Sequence, residues 1–155
     1  MDYFSKDEKF GENKVIRLKI WDTAGQEQFR SLTKNFFRNS DGAILVFDVS
    51  NRYSFEKVQE WMESVLLNSN ENTKIVLVGN KIDLEREVST KEGKAFAEKH
   101  KLSYFETSAK ENIGIVEMIR KLTAEVMEVK KNIFPQETFS VEKKIKKKYF
   151  PTCDC

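Results

Sequence analysis

From Val15 to Trp21 the chain alternates: Ile16, Leu18 and Ile20 fall on one side, Arg17 and Lys19 on the other. A period of two marks a strand with one covered face and one wet face. Gly11-Glu12-Asn13 just before it is turn chemistry. Tyr3 and Phe4 therefore predict an earlier strand that returns through this turn as a hairpin. Ala43–Phe47 and Ile75–Val78 are different, being continuous apolar runs rich in β-branched residues. Runs of this kind fit strands buried on both faces of a parallel sheet. Tyr104-Phe105-Glu106-Thr107 predicts a shorter strand.

Between these runs the period changes. Phe55, Val58, Met62 and Val65 recur at helical spacing, with Ser54 as the expected N-cap. Ser89 and Glu92 have capping-box spacing and predict a helix that buries Ala95, Phe96 and Ala97. Ile115, Ile119, Leu122 and Val126 form another stripe. Strands and helices alternate, so the expected class is α/β with a mostly parallel sheet. After about Lys131 the periodicity fades, and Pro135 and Pro151 stand in a polar, Lys-rich stretch expected to be flexible.

Composition narrows the picture only locally. The chain has 155 residues, which favours one domain, and 34% are charged, yet the formal net charge is only +2. A balance so close to neutral gives no general field for nucleic acid. Basic charge is concentrated at Lys143, Lys144, Lys146, Lys147 and Lys148. Alone, such a run reads as a solvated tail. The two cysteines, Cys153 and Cys155, both lie in the last three residues, so no interior disulfide framework or cysteine cage is available. The start has no signal-peptide core, and the longest apolar run is far too short to span a bilayer.

Ligands in open α/β sheets bind at the carboxyl ends of the strands. Three polar clusters fall there: Asp22-Thr23-Ala24-Gly25-Gln26-Glu27, Asn80-Lys81-Ile82-Asp83 and Thr107-Ser108-Ala109-Lys110. Any one alone reads more simply as turn or cap chemistry. All three, in this order and each at a strand end, point to a site. Trp21-Asp22-Thr23-Ala24-Gly25-Gln26-Glu27 resembles the second-switch motif of Ras-superfamily GTPases, with the leading tryptophan typical of the Rab branch. Asn80-Lys81-Ile82-Asp83 resembles that family's guanine-specificity motif, and Ser108-Ala109-Lys110 its second base-contacting motif. The likeness runs from about Asp2 to Met127.

The resemblance implies roles. The Asp83 carboxylate accepts two N–H groups from guanine, an edge that adenine does not offer. Sites built on such bonds discriminate by roughly 10⁴–10⁵-fold. Asn80 braces the loop, the Lys81 stem lies along the base, the Ala109 N–H meets the guanine oxygen, and Lys110 flanks the base. Asp22 holds a water on Mg²⁺, Gly25 brings its N–H to the terminal phosphate of GTP, and Gln26 orients the attacking water as the catalytic residue.

The sequence also departs from the family. No G-x-x-x-x-G-K-[ST] occurs in it. That loop supplies the amides, lysine and hydroxyl that cradle phosphates and Mg²⁺. The first-switch threonine is absent as well. So is the family's first strand, which lies between the strand ending at Trp21 and the Ala43–Phe47 strand. Two expectations follow: an incomplete or alternatively started chain, which is favoured, or two flanking strands that close up and pair directly. Unpaired buried backbone groups cost about 1–3 kcal/mol each, hence the preference.

Cys153-Asp154-Cys155 resembles the Cys-x-Cys ending that Rab proteins use for double geranylgeranylation. One prenyl chain anchors only marginally, and lysines near an anionic leaflet add to two. The expected organisation is an incomplete Rab-like G domain at 1–131, a Lys-rich hypervariable tail at 132–152 and the lipidation motif at 153–155. The expected function is a GTPase regulating vesicle traffic from the cytosolic face of intracellular membranes. Its partners would be effectors, exchange and activating proteins, and the escort and prenylation machinery. The rival is a membrane-tethered interaction module without GTP turnover. Phe29, Phe36 and Phe37 are divided between core and an aromatic surface that Rab effectors read.

These 155 residues by themselves are expected to show neither sub-micromolar GTP binding nor Gln26-dependent hydrolysis at the rate of an intact small GTPase. Losing one electrostatic donor costs roughly 10²–10³ in rate, and here a whole cradle is missing. Calorimetry with GTP and Mg²⁺, alongside single-turnover hydrolysis, checks this.

Overall fold

The structure is a computed structural model that describes residues 3–10, 14–23 and 36–133. Five strands are described: β1 (Tyr3–Phe10), β2 (Lys14–Trp21), β3 (Gly42–Asp48), β4 (Lys74–Asn80) and β5 (Ser103–Glu106). The helices are α1 (Arg52–Glu56), α2 (Val58–Asn68), α3 (Thr90–Lys99) and α4 (Ile115–Ile133). β3, β4 and β5 form a parallel sheet in that order, and β1 and β2 form a separate antiparallel hairpin. The hairpin and the strand–helix alternation agree with the sequence pattern. Among the described residues, β2 and β3 do not pair, so the direct closure of these strands is not what the chain adopts.

β4 runs down the middle of the parallel sheet with Ile75 to Gly79 all buried. Its side chains alternate between two cores. Leu45, Phe47, Val49, Ile75 and Leu77 face α1, α2 and α3, where Val58, Met62, Val65 and Ala97 meet them. Val76 and Val78 point the other way, against Met118, Ile119 and Leu122 of α4 and Ile44 of β3. A strand covered on both faces has no polar side to show, which explains its unbroken apolar run. Each such side chain contributes about 1.5–3 kcal/mol when fully buried.

Three local expectations change. Ser54 is not an N-cap but lies inside α1; the cap is Asn51, whose side chain accepts from the Ser54 N–H at 3.2 Å. Ser54 Oγ instead donates to the Asn51 carbonyl at 2.7 Å, with the Asp48 carbonyl also within reach at 3.1 Å, and accepts from the Asp48 N–H, tying the helix start to the end of β3. The Phe55–Val65 stripe spans two helices separated at Lys57, yet stays on one face because Lys57 keeps α-like dihedrals. In α3, Ala95 is exposed, while Gly93 and Ala97 are buried and Phe96 half-buried. Residues 93 and 97 are one turn apart, whereas 95 points about 200° away. The Ser89–Glu92 capping box forms as the sequence indicates. On α4 the expected stripe is half-buried, and the residues most deeply buried are its neighbours Met118 and Thr123.

Two ionic contacts stitch these pieces together. Arg52 donates to Glu92 at 2.6 Å, and its Nη2 also donates to the Glu87 carbonyl, joining α1 to the α3 entry. Arg52 first, and then the Ser89 hydroxyl and N–H, hold the Glu92 carboxyl at about 2. Arg120 of α4 donates to Glu8 of β1 at 3.0 Å and holds the hairpin against the main body. Among the described residues no helix is long and apolar enough to cross a membrane.

Gly93 admits Tyr104. A Cβ built there would sit 2.8 Å from Tyr104 Cε2 and closer still to Cζ and the hydroxyl. In an open helix Gly→Ala gains about 1 kcal/mol, whereas overpacking costs about 1–3 kcal/mol. Gly93→Ala should therefore lower the melting temperature, and combining it with Tyr104→Leu should recover part of the loss in a thermal melt.

Candidate guanine-nucleotide site

The three parallel strands end side by side, and their ends are knitted by backbone bonds. Val49 N–H donates to Asn80 C=O at 2.9 Å, and Thr107 N–H to Gly79 C=O at 2.9 Å. Ile82 N–H donates to Thr107 C=O at 3.2 Å. The loop after β5 closes on itself through Ser108 and Ile113, which exchange both backbone bonds. Gly114, with φ +73°, completes that turn; a Cβ there would meet the Glu106 carbonyl at 2.5 Å.

On this base the side chains of the second and third polar clusters interlock. Asn80 Oδ1 accepts from the Thr107 hydroxyl at 3.0 Å and from the Ala109 N–H at 3.1 Å. Ser108 Oγ donates to Asp83 Oδ1 at 2.5 Å and accepts from the Glu111 N–H at 3.0 Å. Thr107 and Ser108 are buried, while Lys81, Asp83, Ala109 and Lys110 are exposed. The arrangement is an exposed rim of charged and amide groups on a largely buried, hydrogen-bonded support.

The electrostatics keep the rim ready to accept hydrogen bonds. The Ser108 hydroxyl, above all, and then the charges of Lys110 and Lys81 against some desolvation, hold the Asp83 carboxyl below the usual aspartate range. It is therefore an anion at neutral pH, with acceptor capacity left over after Ser108. Lys81 has φ +66°, a left-handed backbone at a non-glycine residue. Such strain costs of order 1–3 kcal/mol and persists only where the surroundings over-determine it. Behind the rim, the Arg86 guanidinium grips Glu106 with two bonds of 2.8 Å, and Tyr104 adds a third at 2.9 Å.

Of the residues expected from sequence, Asn80, Lys81, Asp83, Ser108, Ala109 and Lys110 come together. Asp22 lies just beyond β2 and is exposed; no hydrogen bond among the described residues joins it to that cluster. Gly25, Gln26 and Phe29 lie outside the described residues, as do Cys153 and Cys155. The Ala109 amide donates here to Asn80, so a guanine oxygen at that place must share or exchange this bond. Sequence reading passed over Asp48, whose Oδ2 lies 2.6 Å from Lys81 Nζ. A single aspartate after an apolar run carries no signal of its own. Thr107 was visible only as part of its cluster, not as the partner of Asn80.

Mg²⁺ fits these residues only as an ion that arrives with phosphates. Among the described residues no group of three or more His, Cys, Asp or Glu side chains could hold a metal. Asp22 offers one exposed carboxylate, which suits an ion that keeps several waters and takes substrate phosphates as ligands.

The parallel α/β sheet with a hydrogen-bonded carboxylate–amide rim at its strand ends is consistent with a partial small GTPase domain, a class that binds guanine nucleotides. The match to the Ras family model covers residues 1–128, so the chain belongs to the Ras family. Ras-family GTPases generally use GTP or GDP with Mg²⁺.

With Asp83 as the base-reading carboxylate, Asp83→Asn should remove whatever guanosine binding the parent shows and confer binding of xanthosine, whose edge has an acceptor where guanine has a donor. NMR titration of the amides of Lys81, Asp83 and Ala109 with each nucleoside reads this directly. Equal response of the parent chain to guanosine and adenosine would contradict the assignment.

Proposed function

We propose that this protein acts as a Rab-type switch in membrane traffic, reading out its guanine nucleotide through an aromatic face and holding a membrane through its C-terminal cysteines. The observation that carries this reading is a chain of rings that starts on the hairpin and ends at Phe36. Tyr3 and Trp21 are cross-strand partners with ring centroids 5.0 Å apart, and Trp21 lies 5.2 Å from Phe36. Tyr3 and Trp21 stay 59% and 46% exposed, whereas the adjacent Phe37 packs into the core. Large rings left at the surface are typical of partner-binding hot spots. Their place immediately before Asp22 puts them next to the segment that, by family resemblance, senses the terminal phosphate.

The anchor is proposed on sequence grounds: Cys153 and Cys155 follow a run of lysines. Two prenyl groups would give stable attachment where one gives only reversible binding. Exchange and activating proteins, effectors and the escort and prenylation machinery are the partners this reading requires, at the cytosolic face of intracellular membranes. GTP hydrolysis would rest on Gln26 and Mg²⁺ held through Asp22.

Cell fractionation with proximity labelling separates the two halves of the proposal. Changing both Cys153 and Cys155 to Ser should move the protein from the membrane to the soluble fraction. Trp21→Ala should leave it on membranes but strip most of its labelled partners. Retention of the double cysteine variant on membranes, or an unchanged partner set for Trp21→Ala, would count against the corresponding half.

A further inference from the structure

We propose that Asp48 is the positioning residue for Lys81, and that the ion pair between them fixes the lysine stem as one wall of the base site. This rests on the reading of the strand-end rim as a guanine site.

Asp48 closes β3 and stands in register with Asn80, the last residue of β4. Lys81 follows Asn80, so its left-handed backbone launches the side chain from the end of β4. The side chain does not run out into solvent. Its ammonium lies 2.6 Å from Asp48 Oδ2, although the lysine side chain is 53% exposed and the aspartate only 20%. The carboxylate is itself immobilised, because Oδ1 accepts from the Ser50 N–H at 2.9 Å and from the Ser50 hydroxyl at 2.7 Å. One oxygen is thus pinned to its own turn and the other holds the lysine. Partial burial works to raise the Asp48 carboxyl, but Lys81 and Ser50 outweigh it and keep the group below the usual aspartate range.

The consequence concerns the four methylenes between the two ends of Lys81. The backbone fixes one end and Asp48 the other, so the stem spans the ends of neighbouring strands as a taut apolar strip. A long side chain loses rotamer freedom when a planar base packs on it. Here that loss has been met before any ligand arrives, which is the physical meaning of preorganisation. The ion pair also offsets part of the ammonium charge beside the site, while Asp83 presents the carboxylate that reads the base. Asp48 should therefore govern how tightly a base is held, and Asp83 which base is chosen.

Asp48→Asn separates these roles, because the amide oxygen still accepts from Ser50 while the charge facing Lys81 is gone. The test uses the full 155-residue chain with guanosine and adenosine as probes. Two readouts are needed: nucleoside affinity by NMR titration, and the side-chain ammonium signal of ¹⁵N-lysine-labelled protein without ligand. In the parent, the Lys81 ammonium should be ordered and distinct from surface lysines. In Asp48→Asn it should become as mobile as they are. Guanosine affinity should fall about three- to fivefold, the size of a partly exposed ion pair, with the preference over adenosine retained. Asp48→Glu should recover part of the affinity.

A mobile Lys81 in the parent overturns the proposal, and so does an ordered Lys81 whose release leaves guanosine affinity unchanged. If the parent binds no guanosine, the nucleotide reading fails first and the role of Asp48 falls with it. Should Asp48→Asn not fold, Ser50→Ala carries the test: a looser ammonium and weaker guanosine binding support the proposal, and no change in either refutes it.

Discussion

Strand β4 has no face turned to water, and that constraint organises the parallel sheet and its site. Its side chains alternate into two cores, one under α1, α2 and α3, the other under α4. Covering both faces requires helices on both sides, and helices on both sides require crossovers that leave the three strands parallel. Parallel strands end together. Asp48, Asn80 and Glu106 therefore arrive at one edge of the sheet, and the loops that follow them share one support.

At that edge the fold turns apolar packing into polar recognition. Buried polar groups must be bonded, and Asn80, Thr107 and Ser108 are bonded to one another's loops instead of to solvent. The mutual bonds make the loops after β4 and β5 one rigid body. The residues left exposed on it, Lys81, Asp83, Ala109 and Lys110, are those free to meet a ligand. Rigidity and availability come from the same arrangement: each bracing bond joins an inner residue to an outer one, Ser108 to Asp83 and Asn80 to Ala109, and the outer partner stays exposed. The hairpin is a separate sheet, joined to α4 through Glu8 and Arg120, and carries the aromatic face at the end nearest Asp22.

Much of this was legible along the chain because it depends on local rules. The period-two pattern marked β2, the unbroken runs marked β3 and β4, and the Ser89–Glu92 spacing marked the start of α3, but burial on both faces holds for β4 alone, since Val46 of β3 stays exposed. Hydrophobic burial acts residue by residue, so a face leaves its period in the sequence. The three polar clusters were also legible, as each follows a strand. Ser54 misled because a serine and an asparagine three residues apart both suit a helix start, and only the direction of the Ser54 N–H decides between them. Ala95 misled because small residues at alternate positions, Gly93, Ala95 and Ala97, do not themselves say which of them lie on the covered face.

The sequence by itself determined the strand and helix types, the capping box, the family and which residues stand at the strand-end rim, since each is written in residues close together or in fixed motifs. Tertiary structure alone decided which residues pair across the rim. Asp48 and Lys81 are far apart in sequence, and nothing in either neighbourhood announces the other. They meet because parallel strands of matched register end side by side. The same holds for Asn80 with Ala109 and Asp83 with Ser108. Their contacts depend on the crossover that returns β5 beside β4, and a crossover is a property of packing and handedness, with no local pattern to mark its end point.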